Sequence, residues 1–413
     1  MSEEFKIEIV NPEKSFLSKE DVTEVIVPAF EGEIGILKDH ISIISFLKPG
    51  IIVIYSKSGE DKFYVEDGII EFKNNNLSVL TSSIYNLKDI EKNKVQELLF
   101  GDSSPAIEQK KIITVQTLGG TGALRLGGDF LKFVFPDSTV WISDPSWENH
   151  RGVFERAGFT VNKYPYYDSS NHGIKYDEMI MAFERMPIGS IVVLHACCHN
   201  PTGVDLNIKK WDEVIDVMKN KKLIPFLDIA YQGFGDGLEE DGQVIKKFAD
   251  SGIHFLTANS FSKSFSLYGE RVGGLSIMNA NEDQKNIVGS HLKKIARTTY
   301  SNPPTHGSKL VSTVLSSQEL FGAWKTELAE MRNRIKLMRE LICAEIKKIK
   351  PEVNFNHIIQ QRGMFSYTGL SKDQVIKLRE EHSVYAIETG RICVAALNSK
   401  NVTRAASAIA NVI

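Results

Sequence analysis

The spacing of the apolar segments changes near residue 95, and this change limits the folds that the chain can adopt. Before it, short apolar segments follow one another closely and are separated by turn residues such as "EG", "KPG" and "NNN". The first segment, "FKIEIV", alternates apolar and charged side chains as a half-buried strand does. Short strands at such close spacing predict an all-β sandwich or barrel.

After residue 97 the segments are longer and of two kinds. Apolar strands such as "SIVVLHA" and "LIPFLDIA" alternate with amphipathic helical stretches such as "IKKWDEVIDVMKN". This alternation predicts an α/β fold in which a mostly parallel sheet lies between helices. We therefore predict a multidomain chain. The predicted bounds are 1–87 for the β-sandwich, 88–97 for a connector, 98–325 for a large α/β domain and 326–413 for a small C-terminal α/β domain.

Charge and composition exclude several classes of protein. Residues 1–95 hold 11 Lys and Arg against 17 Asp and Glu, whereas the remainder holds 38 against 35, and the total of −3 gives no reason to expect nucleic acid binding. The N-terminus lacks the features of a signal peptide, and the apolar stretches are too short to span a membrane. Four cysteines in 413 residues do not form a disulfide framework. We expect a soluble, cytoplasmic protein.

The N-terminal segment resembles a known family of binding domains. The stretches "GEIGILKDHISIISFLKPGIIVI" and "FYVEDGIIEFKNNNLSVLTSS" carry glycines and a proline at the expected turns. They resemble the β-sandwich domain of the ATP synthase epsilon subunit, whose C-terminal helical hairpin is mostly absent here. The resemblance implies binding to the rotor stalk, and through it peripheral membrane association, rather than chemistry.

Polar side chains follow successive apolar strands in the second part of the chain, where α/β sheets build their sites. They are an amide, a carboxylate, a phenol, a hydroxyl, a lysine and an arginine. In chain order these residues are Asn200, Asp228, Tyr231, Ser260, Lys263 and Arg271. Packing alone does not account for such a set.

Pyridoxal phosphate needs these groups. It requires a lysine amine to bond to its aldehyde and a carboxylate facing its pyridinium nitrogen, which here are Lys263 and Asp228. The stretch "TLGGTGALR" supplies backbone N–H groups for a phosphate at a helix start. A dinucleotide fingerprint beginning at Gly120 would require glycine at position 125, where this chain has Arg125.

From residue 96 to the C-terminus, the chain resembles the aspartate and aromatic amino acid aminotransferases of pyridoxal phosphate fold type I. The stretches that carry the resemblance are "QTLGGTGALR", "DPSWENH", "CCHNPTG", "DIAYQGF", "SFSKSFSLYGERVGG", "YSNPPTHG", "GMFSYTGL" and "ETGRICVA". The resemblance implies a homodimeric transaminase that uses aspartate or an aromatic amino acid with 2-oxoglutarate.

The resemblance also implies a role for each site residue. Lys263 would bond to the cofactor and move a proton, and Asp228 would keep the pyridinium protonated. Trp147 would stack on the ring, while Asn200 and Tyr231 would hold its phenolic oxygen.

Four residues, Gly120, Thr121, Ser260 and Arg271, would bind the phosphate. Trp147 and Asn200 would also contact the substrate. Arg391 would bind the substrate α-carboxylate as a bidentate pair. Arg297 would reach into a neighbouring subunit to meet a side-chain carboxylate.

Other interpretations of single residues remain open. Cys197, Cys198 and His199 could ligate a metal, but we expect none, because neighbouring strand side chains point to opposite faces. His150 and His195 are candidates for supporting the cofactor ring from behind.

The chain also departs from the family. About the first quarter of the aminotransferase chain has no counterpart, so we expect a weakened dimer and slow turnover. "GRICVAA" carries Cys393 where the family usually has asparagine. The alternative function is an ATP synthase stalk subunit carrying an inactive aminotransferase remnant.

Overall fold

The computed structural model describes residues 4–12, 15–65, 67–82, 84–86 and 94–413. The chain divides into two compact units, Met1–Asn93 and Lys94–Ile413. Most of the predicted connector, residues 88–93, lies outside the described residues.

The first unit is built of antiparallel strands with one parallel pair. Its strands are β1 Phe5–Val10, β2 Ser15–Ala29, β3 Gly32–Leu37, β4 Ile43–Leu47, β5 Gly50–Ser56, β6 Gly59–Val65, β7 Gly68–Lys73, β8 Asn76–Leu80 and β9 Ile84–Asn86. Their spatial order is β1-β8-β7-β4-β2-β5-β6-β9, β3 pairs with β2, and β1 pairs both with β2 and, in parallel, with β8. In β1 the apolar Phe5, Ile7 and Ile9 are buried and the alternate residues are half-buried, as the alternating pattern predicted. The predicted β-rich N-terminal domain is confirmed.

A seven-stranded mixed sheet forms the centre of the second unit. Its strands are β10 Ile112–Leu118, β11 Val140–Asp144, β12 Val161–Pro165, β15 Ile191–His195, β16 Ile224–Ile229, β17 Leu256–Ser260 and β18 Val272–Met278, in the spatial order β10-β18-β17-β16-β15-β11-β12. Strands β17, β16, β15, β11 and β12 run parallel, and β18 is antiparallel to both of its neighbours. The parallel strands are mostly buried because helices cover both faces of the sheet.

Helices and two short hairpins complete this unit. The helices are α1 Lys94–Phe100, α2 Pro105–Glu108, α3 Gly119–Val134, α4 Glu148–Arg156, α5 Tyr176–Arg185, α6 Lys210–Asn220, α7 Leu238–Asp250, α8 Glu282–Thr299, α9 Thr305–Ser316, α10 Gln318–Ile349, α11 His357–Gln360, α12 Lys372–His382 and α13 Val402–Val412. The hairpins pair β13 Tyr167–Asp168 with β14 Gly173–Ile174, and β19 Phe365–Tyr367 with β20 Arg391–Cys393.

The long helix α10 links the parallel-sheet region to the C-terminal part of the unit. It spans the predicted domain boundary at 325/326 and packs against both α9 and α13. In the C-terminal third of α10, the guanidinium of Arg339 is buried and donates hydrogen bonds to the carbonyl oxygens of Gly363, at 2.6 Å, and Phe365, at 3.0 Å. This arginine therefore fixes the loop that leads into β19. Among the described residues, no helix is both long and apolar enough to cross a membrane.

Candidate active site

Parallel strands bring the predicted residues to one edge of the sheet. In β16, Asp228 is the residue before the last and pairs in register with His195 at the end of β15. Ser260 is the last residue of β17, and Lys263 follows three residues later. Gly120 and Thr121 lie in the first turn of α3, directly after β10. Strands β10, β15, β16 and β17 run in the same direction. The residues at or just after their C-terminal ends therefore lie at the same edge of the sheet.

A cavity of about 240 Å³ lies at this edge. The predicted residues that line it are Gly120, Thr121, Trp147, Asn200, Asp228, Tyr231, Ser260, Lys263 and Arg271. All nine residues assigned to the cofactor are thus brought together. The cavity is also lined by His195 and by residues that were not predicted to bind the cofactor, namely Leu124, Cys197, Ala230, Ser262 and Tyr268. Tyr268 lies inside the quoted stretch "SLYGER", so its place beside Arg271 was the signal that could have identified it.

The amine of Lys263 is half-buried in this cavity. Its Nζ lies 4.9 Å from the centre of the Tyr231 ring. Burial lowers the pKa of Lys263 below its ordinary value, the charge of Asp228 opposes this change, and the charge of Arg271 adds to it. A larger fraction of the amine is therefore neutral, and only the neutral amine is a nucleophile or a base.

Asp228 belongs to a buried hydrogen-bonded chain. Its Oδ2 lies 2.9 Å from Nε2 of His150, and Nδ1 of His150 lies 2.9 Å from Oγ of Ser146. Burial by itself would raise the pKa of Asp228, but the hydrogen bond and charge of His150, with smaller contributions from His195 and Lys263, outweigh burial and lower that pKa. The carboxylate therefore stays ionised, and His150 supports it from behind.

His195 lies next to the hydrogen-bonded side chains of Asp228, His150 and Ser146 but makes no hydrogen bond to them. Its ring centre is 4.9 Å from that of His150, and both of its ring nitrogens are buried with no hydrogen-bond partner among the described residues. Burial, together with the charge of His150, lowers the pKa of His195 to about 3, so the ring is neutral at pH 7. His195 therefore adds polar surface to the cavity without adding charge.

Glycines allow the start of α3 to approach Arg271 closely. Gly119 has a φ of +68°, and a Cβ there would lie 2.6 Å from Nη2 of Arg271. A Cβ at Gly120 would lie 3.0 Å from Cβ of Ser260. Arg271 itself has a φ of 53°, and its Nη1 donates to the carbonyl oxygen of Tyr268 at 3.0 Å. A guanidinium, a hydroxyl and helix N-terminal N–H groups thus surround one end of the cavity, an arrangement suited to an anion.

The two arginines predicted to bind substrate occupy different places. Arg391 begins β20, donates from Nη1 to Oδ1 of Asn200 at 3.1 Å, and lies with its guanidinium carbon 4.6 Å from the centre of the Phe365 ring. It therefore touches a residue of the cavity. Arg297 is exposed near the end of α8 and donates to Oγ of Ser301 at 2.8 Å. Arg297 does not line the cavity of its own chain.

The expectation that Cys197 and Cys198 point apart was wrong. Strand β15 ends at His195, and Cys198 has a φ of 52°, so the alternation of strand side chains does not extend to these residues. The two Sγ atoms and a carboxylate oxygen of Asp241 all lie within 4.8 Å of one another. That carboxylate accepts backbone hydrogen bonds from Gly233 and Gly235, at 2.8 and 2.9 Å, which gives it a structural role in the turn after β16.

His199 lies in the same turn as the cysteines and has a structural environment. Its Nε2 is 2.9 Å from Oγ of Ser143, its Nδ1 is 2.8 Å from Oγ1 of Thr202, and its ring stacks on Tyr166 at 4.0 Å between centres. With both nitrogens engaged and the ring buried, His199 holds the turn that carries Asn200.

Comparisons with known proteins agree with this geometry. Residues 81–409 match the family described as aminotransferase class I and II, and residues 4–87 match the β-sandwich domain of the ATP synthase delta/epsilon chain. An aspartate aminotransferase of Pseudomonas aeruginosa is 53% identical over 77% of this chain and 80% of its own length. An aromatic-amino-acid aminotransferase of Escherichia coli is 50% identical over the same shares of the two chains.

Solved structures give the same result. The crystal structure of an aromatic-amino-acid aminotransferase from Burkholderia pseudomallei, covalently bound to pyridoxal phosphate, is similar with a TM-score of 0.77 and 53% identity. The match covers 78% of this chain and 81% of that one. These findings support the transaminase interpretation and give no support to an inactive remnant on a stalk subunit. The chain belongs to the class I and II aminotransferases, and it carries in addition an N-terminal domain of the ATP synthase delta/epsilon type.

Proposed function

We propose that residues 94–413 form a pyridoxal phosphate-dependent transaminase that transfers the amino group of aspartate, or of an aromatic amino acid, to 2-oxoglutarate. The observation that carries the proposal is the single cavity that holds the Lys263 amine and the Asp228 carboxylate together. The names of the relatives support the choice of substrates, since they include aspartate and aromatic-amino-acid aminotransferases.

The residues of the cavity fit this cofactor. A lysine whose pKa is lowered and a carboxylate that stays ionised lie in one cavity, and an anion-binding end is formed by Ser260, Arg271 and the first turn of α3. When bound, pyridoxal phosphate supplies an aldehyde to which an amine can bond and a pyridinium ring that withdraws electrons. Gly120, Thr121, Ser260 and Arg271 would hold its phosphate, and Asp228 its ring nitrogen.

The chain's own residues then orient the substrate and move the proton. Arg391 would bind the α-carboxylate, and its hydrogen bond to Asn200 links this carboxylate site to the cofactor cavity. Lys263, freed as a neutral amine, would take the proton from the substrate α-carbon and deliver it to the cofactor. Trp147 would cover one face of the ring, and Asn200 and Tyr231 would hold the phenolic oxygen.

Arg297 requires a second subunit in this proposal. It is exposed and lies away from the cavity of its own chain. An arginine that recognises the side-chain carboxylate of aspartate would thus come from a neighbouring copy. The proposed enzyme is therefore a homodimer. We also propose that it is located in the cytoplasm.

The proposal is tested by visible absorption and by activity. The purified chain, incubated with pyridoxal phosphate and then separated from unbound cofactor, should be yellow, and Lys263→Ala should lose the band because no amine is left in the cavity to bond. Lys400→Ala, which removes an exposed lysine, is the matched control and should behave as the wild type. A wild type that is colourless once unbound cofactor has been removed would refute the assignment.

A second proposal concerns the N-terminal unit. Phe46, Ile69 and Leu80 are 64%, 40% and 55% exposed, and they are direct neighbours across β4, β7 and β8. Paired residues on antiparallel strands share a face, so these side chains form one apolar patch, and such patches mark interaction sites. We propose that this patch binds the rotor stalk of an ATP synthase and thereby brings the chain to the membrane periphery.

The stalk proposal has its own test. Phe46→Ser should weaken binding of the full chain to purified stalk subunits in calorimetry. Ile188→Ser, which changes a residue 73% exposed in the other unit, should leave the affinity unchanged. A full chain that does not bind stalk subunits would contradict this second proposal and leave the transaminase assignment untouched.

A further inference from the structure

A second, larger groove lies in the C-terminal part of the chain. Its volume is about 570 Å³, which falls within the range of small-molecule sites. Helices α10, α12 and α13 contribute Ile342, Leu378 and Ile409 to its wall. It shares no lining residue with the cofactor cavity, although Arg391 of its lining is hydrogen-bonded to Asn200 of that cavity.

The residues that line the groove combine apolar surface with positive charge. Most of the residues are aliphatic or aromatic, and the ones that carry a charge at neutral pH are two arginines, Arg391 and Arg404. Among the described residues of the lining there is no aspartate, glutamate, lysine or histidine. Apolar walls with positive charge and no acidic partner complement a ligand that has an apolar body and one negative group.

The two arginines differ in the groups that they already contact. Arg391 donates to Asn200, lies over the Phe365 ring, and has the substrate carboxylate as its proposed ligand. Arg404, on α13, is exposed and donates from Nη2 to the carbonyl oxygen of His382 at 3.2 Å. Arg404 is thus the guanidinium that can accept a second anion without displacing substrate.

We propose that this groove binds an aliphatic monocarboxylate, with the carboxylate on Arg404 and the chain along the apolar wall between α12 and α13. The entrance supports an amphipathic ligand, since Tyr385 is 80% and Ile387 41% exposed at its edge. These exposed apolar side chains extend the apolar wall into solvent. The carboxylate would bind to Arg404, which does not line the cofactor cavity, and the inference does not depend on catalysis.

The test is calorimetric titration of the full chain with sodium hexanoate, octanoate and decanoate. Each added methylene should tighten binding about threefold to fourfold while the groove still has room, as burial of one CH₂ group predicts. Octylammonium and octan-1-ol, which have the same chain without the negative charge, should bind at least tenfold more weakly than octanoate.

Variants separate the carboxylate site from the apolar wall. Arg404→Gln should weaken octanoate binding at least tenfold, and Ala405→Trp should fill the groove and abolish binding. Arg379→Gln, on the exposed side of α12 and outside the lining, is the matched control. Cofactor absorption and melting temperature show whether each variant is folded.

Three results would overturn the proposal. They are no heat of binding with millimolar octanoate, equal binding of octylammonium, or unchanged affinity in both Arg404→Gln and Ala405→Trp. A groove covered by a polypeptide segment in solution would give the first of these. If octanoate does not bind, the cofactor-loaded chain should still be yellow. Failure of the groove proposal can therefore be distinguished from failure of the transaminase assignment.

Discussion

A single methyl group at Gly119 should weaken phosphate binding without touching the phosphate. Gly119 has a φ of +68°, and an alanine Cβ there would lie 2.6 Å from Nη2 and 3.0 Å from Cζ of Arg271. Because the contact is with the end of a flexible side chain, the chain should still fold, and the guanidinium should move instead. The left-handed conformation would cost alanine roughly 1–2 kcal/mol of folding free energy.

The larger effect should be on cofactor affinity. A hydrogen bond to a charged group is worth about 1.5–3 kcal/mol, so displacing Arg271 should raise the Kd of pyridoxal phosphate about 10- to 150-fold. The assay is titration of the cofactor-free chain, followed by visible absorption, with pyridoxal phosphate and with pyridoxal, which lacks the phosphate. Gly119→Ala should weaken binding of pyridoxal phosphate and leave binding of pyridoxal nearly unchanged.

Gly152 provides the matched control for this substitution. It lies in the middle of helix α4, is exposed, and a Cβ there would meet nothing within 4 Å. Gly152→Ala should stabilise the chain by about 1 kcal/mol and leave both affinities unchanged. Equal losses for pyridoxal and pyridoxal phosphate in Gly119→Ala would show that the variant acts through general distortion, and the reasoning about Arg271 would be refuted.

Three further substitutions test other parts of the structure. Arg297→Ala should reduce kcat/KM for aspartate far more than for phenylalanine, because the aspartate side-chain carboxylate loses about 1.5–3 kcal/mol of binding free energy. Equal losses for the two substrates would contradict the proposed role of Arg297. Arg339→Met should lower the free energy of unfolding by about 3 kcal/mol or more in denaturant titrations, because buried carbonyl groups lose their donor; a change under about 1 kcal/mol would argue against that role. Burial, with the charge of His172 stacked at 3.8 Å, lowers the pKa of His357 to about 4, so stability that is present above pH 6.5 should be lost as the pH falls towards 4. This loss is at most about 3 kcal/mol and, with solvent screening, about 1–2, and it should be absent in His357→Phe.

The residues at strand ends could be predicted because parallel strands leave little freedom. Once β15, β16 and β17 are recognised as neighbouring parallel strands, the residues that follow them must share one edge. Asp228, Ser260 and Lys263 reached the same cavity for this reason. The chemical requirement for a lysine and a carboxylate then selected the cofactor.

Other features depend on contacts that the sequence pattern does not contain. The convergence of Cys197 and Cys198 follows from a left-handed φ at Cys198, for which a cysteine gives no signal. Arg339 is 1% exposed within a helix whose pattern otherwise places charged residues outside. Its partners are backbone carbonyls about 20 to 30 residues further along the chain, so only the folded structure shows why it is buried.

The geometry behind Asp228 explains why the site tolerates a buried carboxylate. Burial favours the neutral acid, yet two imidazole rings, His150 and His195, lie beside it, and of these two His150 is hydrogen-bonded to it. Since the pKa of His195 is lowered to about 3, that ring contributes no charge at pH 7. The ionised state of Asp228 is supported by the hydrogen bond and charge of His150, which in turn bonds to Ser146, and by the charge of Lys263. The carboxylate is thus held in its charged form by a hydrogen bond from behind and by the amine that shares its cavity. Asp228 also lines the cavity that contains the amine of Lys263, where its carboxylate can accept a proton or a further hydrogen bond.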